Sequence, residues 1–525
     1  TSAHLKNIQN PSDDLNFSNL VQMKSLVRLN LLLLLFSCSS EVDYSSVQWL
    51  AWDKDTVSYF PEQYWEKYKI PEEAGWSIEK LKKAKLFWEQ SQSSALLVIY
   101  NGAILVSWGE TERRFLLHSA RKSLDNIMYG FAIDEELVDL NSTLEDLNIT
   151  EQTPLTTQEK SAKVIDLIQS RSGIYFPAAY DINKNSPKRG SAKPGQKWHY
   201  NNWDFNVNET IIEQQTGVPI EEYFNEKIAK PLDLQDFRLM DVYDHKEAIS
   251  QHPAHPFRMS AQDLGRIGLL YLNKGKWKNN QLISSNWIEE STRAHSKLEK
   301  GAVGNGSDYG YLWWISDDRF KSLEMYYASG LNGQRLRIIP TADLVVVNLV
   351  NTYKRHNFAE NDQLQLLDKI LAARTSEPKS KPDLEKMEPS VSTSTEFDSI
   401  AVHFLGTYEA PCNFDPEVEK MKMTIQYQDD DLIANIEYGG TYNMIKVSEN
   451  SYIMEDMDCI EEMRFPMIFF ITEDGTAAFK LELAFVLDKV IFRKIQKQVT
   501  MTKIRLRTEP LKKGALNSNF NASHT

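Results

Sequence analysis

Three cysteines in a chain of 525 residues cannot build a disulfide scaffold. No His/Cys cluster stands at metal-ligand spacing, which argues against zinc. Basic residues are in the minority: 59 Lys and Arg face 73 Asp and Glu, for a formal net charge of −14 and a pI near 5.4. With no long basic patch, nucleic-acid binding is not the expected function. Internal repeats are absent, and so is any apolar run long enough to span a bilayer as a mature helix. Hydrophobic side chains, by contrast, are plentiful. At 42% of the chain, with 11% aromatic, they supply a large core spread over two or three domains.

The first methionine is Met23. From it the chain reads MKSLVRLNLLLLLFSCSSE, with Lys24 and Arg28 ahead of a short apolar stretch, Leu29 to Phe36. Its end, Leu35-Phe36-Ser37-Cys38, resembles the lipobox of bacterial lipoproteins. That resemblance implies a signal peptide at 23–37, acylation of Cys38 as the mature N-terminus, and an exported protein anchored in the periplasm or at the outer membrane. A plain secretory signal or a short buried helix is the alternative. Polar residues 1–22 read as an upstream segment. Cys412 and Cys459 then remain, and an oxidising compartment leaves a disulfide between them open.

Residues 94–107, SALLVIYNGAILVS, form a hairpin signal, because Asn101-Gly102 accommodates the positive φ angles of a tight turn. Helical periodicity follows at 120–138, 203–216 and 261–273, the last opened by Ser260 with Asp263 three residues on, a capping-box arrangement. Residues 326–350 read as three strands with two turns, and 360–373 as an amphipathic helix. From 374 to 397 the chain turns rich in Ser, Pro, Lys and Glu, the composition of a linker. Short β-like segments fill 398–497, as in a small sandwich or barrel, before a polar tail at 498–525.

The chemistry centres on LLHSARKSLDN, residues 116–126. A serine hydroxyl is a weak nucleophile until a base lies within hydrogen-bond reach. Ser119 and Lys122 are three residues apart where a strand gives way to a helix, so both fall on one helix face. Free N–H groups at that helix start suit a developing oxyanion. Lys122 can act as a base only as a neutral amine, which requires burial or a neighbouring cation. The same spacing recurs at Ser77–Lys80 and Ser376–Lys379, where an N-cap and a linker are the better readings. KPGQKWHYNNWDFNV, residues 193–207, adds Tyr200 and Asn202 in a loop before a helix. Two other Tyr-x-Asn matches, at Tyr223 and Tyr271, lie within helical patterns and read as core. YYASGLNGQ, residues 326–334, supplies Ala328, Ser329 and Gly330 on a strand, where Gly330 lets a substrate approach and the Leu331 N–H can complete an oxyanion hole.

Ser-x-x-Lys, then Tyr-x-Asn, then a glycine-bearing strand, in this order and spacing, resembles the serine β-lactamase and penicillin-recognising hydrolase superfamily, in its class C β-lactamase, D-Ala-D-Ala carboxypeptidase and esterase branch. The likeness covers roughly residues 60–373 and extends to SARKSLDNIMYGFAIDEELVDLNSTLEDL, LIQSRSGIYFPA, HPFRMSAQDLGRIGLLYLNKGKW and YGYLWW. It implies an α/β (α+β) catalytic domain over 45–373: a five-stranded antiparallel sheet flanked by helices, with a helical subdomain and the site between them. It implies Ser119 as the acylated nucleophile, Lys122 as general base, Tyr200 as proton relay and Asn202 as the residue orienting Lys122 and the substrate carbonyl. The backbone N–H groups of Ser119 and Leu331 would form the oxyanion hole, with no metal and no organic cofactor. The third motif departs from the family's Lys-Thr-Gly, because Ala328 stands in the lysine position. That favours a small-molecule ester or amide substrate over a β-lactam or cell-wall peptide. His118 is assigned to packing, and Asn201 reads as a variable position. The β-rich C-terminal region resembles the lipocalin-like appendage of some members. An exported, non-catalytic ligand-binding lipoprotein is the reading of another class.

Overall fold

The computed structural model describes Tyr44, residues 59–180, 186–298, 308–316, 318–352, 356–387 and 404–411, and the strands beyond them up to Val490–Lys494. Residues 23–37, Cys38, Cys412, Cys459 and residues 498–525 lie outside the described residues.

The larger region is built on strands β1 (Glu66–Tyr68), β2 (Ala95–Tyr100) and β3 (Ala103–Gly109), then β4 (Phe115–Leu116), β5 (Arg258–Met259), β6 (Lys276–Trp277) and β7 (Asn280–Gln281). After these come β8 (Asp308–Tyr309), β9 (Trp314–Ile315), β10 (Tyr326–Ser329), β11 (Arg335–Ile339), β12 (Leu344–Leu349) and β13 (Leu384–Lys386). Nine of them form one sheet in the order β13-β1-β3-β2-β12-β11-β10-β9-β8. Its five central strands, β3-β2-β12-β11-β10, are antiparallel as expected. Four short strands widen it, and β1 joins β3 in parallel at Lys67↔Ile104.

The β2–β3 hairpin turns at Asn101 and Gly102, with φ of 48° and 80°, as the Asn-Gly pair dictates. Every residue of β2 and of β12 is buried, so neither shows a polar alternation: both strands are covered on both faces. Leu97, Ile99, Val345 and Val347 point into one core, and Leu96, Val98, Leu344 and Val346 into the other. Helices α1 (Ile78–Glu89), α2 (Lys122–Asp134), α3 (Asn202–Thr216), α4 (Ala261–Leu272) and α5 (Glu360–Leu371) supply the covering layers. Side chains of α2, α3 and α4 enter the first core, and those of α1 and α5 the second.

Two local expectations change. Ser260 caps α4 by accepting the Asp263 N–H at 3.0 Å. The Asp263 carboxylate does not close a reciprocal box, since it accepts the N–H groups of Gln235, Asp236 and Phe237 instead. The stretch read as a linker from 374 is structured in its first part. Arg374 is buried on Tyr100, Lys379 pairs with Glu73, and β13 is an outer strand of the main sheet. Pro and Lys in this segment gave it a linker's composition, while its backbone found a free strand edge to pair with.

The C-terminal strands are Gly406–Pro411, Lys420–Gln428, Asp431–Ile436, Gly440–Ser448, Ser451–Asp456, Arg464–Ile471, Ala477–Leu481 and Val490–Lys494. Each pairs antiparallel with the next, and the last returns to the first at Tyr408↔Lys494, so the sheet closes into a barrel.

Candidate active site

The segment carrying Ser119 is fixed from both sides. β4 pairs with β5, and the Leu117 N–H donates to the Phe257 carbonyl at 2.8 Å. His118 then takes φ of 50°, a left-handed conformation that turns the chain out of its extended path. Ser119 lies in the 3₁₀ turn His118–Arg121, which runs into α2. That helix is pinned by side chains: Ser123 donates to the Leu312 carbonyl and Asn126 to that of Tyr311, at 2.8 and 2.9 Å. Asn126 also accepts from Tyr271 and Trp313.

Lys122 is 5% exposed, and its Nζ donates to Ser119 Oγ at 2.8 Å and to Tyr200 OH at 2.6 Å. The amine also lies over the rings of Tyr200 and Phe205, at 4.8 and 4.6 Å. Burial, and then the adjacent Arg121 guanidinium, hold its pKa well below the usual lysine value. Burial pushes the Tyr200 phenol up to about 12, against its hydrogen bond with Ser119 and the charge of Arg121. Tyr200 therefore stays a phenol at neutral pH, stacked on Trp314 at 5.8 Å. His118 is pulled down to about 4 by burial and by Lys122, and its Nε2 meets Thr352 Oγ1 at 2.8 Å, in keeping with a packing role.

The other expected residues sort as follows. A Cβ built on Gly330 would lie 2.2 Å from the Leu117 carbonyl oxygen and 3.1 Å from the Ala120 nitrogen, so the end of β10 lies against the turn that carries Ser119 and only glycine permits it. Leu331 follows directly, with an exposed side chain. Ala328 is buried opposite Leu336, while Ser329 is half-buried. Asn202 is not hydrogen-bonded to Lys122; its amide donates to the Tyr180 carbonyl at 2.8 Å. It is Asn201, read as unimportant, that is structural. Its side chain caps α3 through the Trp203 N–H and donates to the Ile174 carbonyl and to Asp204, at 2.5 and 2.9 Å. Ser77 is an N-cap, and Tyr223 and Tyr271 are core residues, as the sequence indicated.

The sequence reading did not anticipate the charged cluster behind Lys122. Arg121 bonds the Glu209 carboxylate and lies 3.6 Å from Asp125. Glu209 also accepts from the backbone N–H and Nδ1 of His255, at 3.1 and 3.0 Å. His255 Nε2 faces Asp244 at 3.1 Å and Glu213 at 3.8 Å. One readable sign existed: Glu209 stands in line with Phe205 and Ile212 on the apolar stripe of α3, where an unpaired charge is untenable.

A serine bonded to a buried amine that is shared with a tyrosine, at the start of a helix, is an arrangement able to support serine-hydrolase chemistry. The chain belongs to the beta-lactamase family, whose model matches residues 83–369 and whose members are hydrolases. Among solved structures it is similar to a beta-lactamase from Mycobacterium bovis, at 19% identity over 56% of this chain and all of that one, with a TM-score of 0.43. The octameric penicillin-binding protein homologue from Pyrococcus abyssi matches at 16% identity over 79% of this chain and 98% of its own, with a TM-score of 0.41. EstCE1, a hydrolase with promiscuous acyltransferase activity, matches at 16% over 57% and 99%, with a TM-score of 0.43. No curated protein matches the chain.

Proposed function

We propose that this protein hydrolyses an ester or amide through an acyl-enzyme on Ser119. The observation that carries the reading is the Lys122 amine, buried and within hydrogen-bond distance of both Ser119 Oγ and Tyr200 OH. Lys122 takes the Ser119 proton as Oγ attacks the substrate carbonyl. The carbonyl oxygen, now an oxyanion, rests on the N–H groups of Ser119 and Leu331. Tyr200 passes a proton to the leaving group, which departs as an alcohol or amine. Water then enters, gives up a proton to the same pair, and releases the acid. Asn202 supports the site through the Tyr180 loop rather than through Lys122.

Ala328 favours esters and small amides over β-lactams and D,D-peptides. A buried alanine in the lysine position offers no cation to a substrate carboxylate. The barrel is read as a lipocalin-like appendage, and Cys38 as a lipid anchor in an exported protein. Radiolabelled palmitate should enter the protein in a bacterial host and be lost in Cys38→Ser.

The test is intact mass after incubation with a fluorophosphonate and, separately, with penicillin, beside Ser119→Ala. A Ser119-dependent fluorophosphonate adduct alone supports the ester or amide reading. A stable penicillin adduct as well transfers the preference to cell-wall substrates. No adduct with either leaves the binding-protein reading.

A further inference from the structure

We propose that Asp125 is held as a neutral carboxylic acid one helical turn beyond Lys122, and that this bound proton lets Lys122 stand as a free amine. The inference rests on Lys122 being the general base. Asp125 is fully buried, and neither carboxyl oxygen accepts a hydrogen bond among the described residues. A carboxylate without donors in such a place is strongly disfavoured. Its nearest cation, the Arg121 guanidinium at 3.6 Å, is already bonded to Glu209.

The surrounding groups bear on the same proton. Asp125 is faced by Lys122 and Tyr129 from its own helix, Arg121 from the turn before it, Glu209 from α3, His255 from the segment before β5, and Tyr309 from β8. Burial keeps both tyrosines as phenols. Glu209 is bonded by Arg121 and by two N–H groups of His255, and Asp244 closes the far side of His255. Asp244 and Glu213, beside His255, are about half and a third exposed and reach solvent, and Asp244 also pairs with Lys246 at 2.7 Å. An ionised Asp125 would favour the ammonium form of Lys122 one turn away. Acid plus amine and carboxylate plus ammonium differ only in where one proton sits, and burial favours the uncharged pair. Burial and the Glu209 charge hold the Asp125 carboxyl well above its usual range. Asp125 is thus a positioning residue acting through the charge of Lys122.

Asp125→Asn mimics the acid form and cannot ionise. The infrared difference spectrum of wild type minus Asp125→Asn at neutral pH should contain the carbonyl stretch of a protonated carboxylic acid. The acid limb of kcat/KM on a chromogenic ester should stay within about 0.3 pH unit of wild type. Carboxylate bands in the difference spectrum, or an acid limb displaced downward by roughly one unit or more, would overturn the proposal, because a carboxylate had then been holding a proton on Lys122. Asp125→Leu provides the same comparison should the Asn variant not fold. Failure of the wild-type Ser119 adduct would instead remove the base assignment, whatever the spectrum shows.

Discussion

Replacing Lys122 with methionine removes the proposed base and also relieves the fold of a buried amine. An unfolded lysine titrates near 10.4, so keeping the amine unprotonated at pH 7 costs up to roughly 4–5 kcal/mol. Two hydrogen bonds, to Ser119 and Tyr200, return about 1 kcal/mol each, and these partners can still bond each other in the variant. The net gain on substitution is at most roughly 2–3 kcal/mol, or up to about 5–10 °C in the melting temperature of this region. The sign with pH follows from burial lowering the folded pKa of Lys122. The folded state then binds fewer protons than the unfolded state, so the penalty is present at neutral pH and fades as pH approaches about 10.4. Differential scanning calorimetry of wild type and Lys122→Met at pH 7 and pH 10 should show a large gain that shrinks with pH, beside complete loss of turnover. A variant that melts no higher than wild type at pH 7 would refute the neutral buried amine.

Tyr200→Phe keeps the Trp314 stacking but removes the proposed relay, so kcat should fall by about 10²–10⁴ with little change in melting temperature. Because the phenol titrates near 12, the wild-type rate profile should show no basic limb from Tyr200 below pH 10. Asn201→Ala loses the α3 cap and strands the Ile174 carbonyl, at a cost of about 1–2 kcal/mol in urea unfolding. In Gly330→Ala the new Cβ meets the Leu117 carbonyl at 2.2 Å, so fluorophosphonate labelling of Ser119 should slow sharply.

Features set by local chemistry were legible in the sequence. The Asn101-Gly102 turn, the Ser77 and Ser260 caps and the boundaries of α2, α3 and α4 follow from backbone preferences within a few residues. Ser119 and Lys122 were legible because one helical turn brings them together. Features that depend on distant partners were not. Nothing near Asn201 announces the Ile174 carbonyl, and Arg121, Glu209 and His255 meet across more than a hundred residues of chain. Asn202 was assigned by its motif, yet the Tyr180 carbonyl engages its amide. β13 escaped because three residues of strand need only a waiting edge, not a strong propensity of their own.

That short strand also decides where the hydrolase unit can be cut. Glu66, Lys67 and Tyr68 find their partners in Lys386, Glu385 and Leu384, and the Met387 N–H reaches back to the Trp65 carbonyl. A truncation at 373, the boundary that composition advertises, would strip this cover. The outer row of β1 N–H and C=O groups would then lie open to any passing strand, which invites edge-to-edge aggregation. A fragment ending after Met387 keeps the edge closed. A protease severing the chain beyond that point should release a hydrolase that stays monodisperse, whereas one cutting at 374–383 should not.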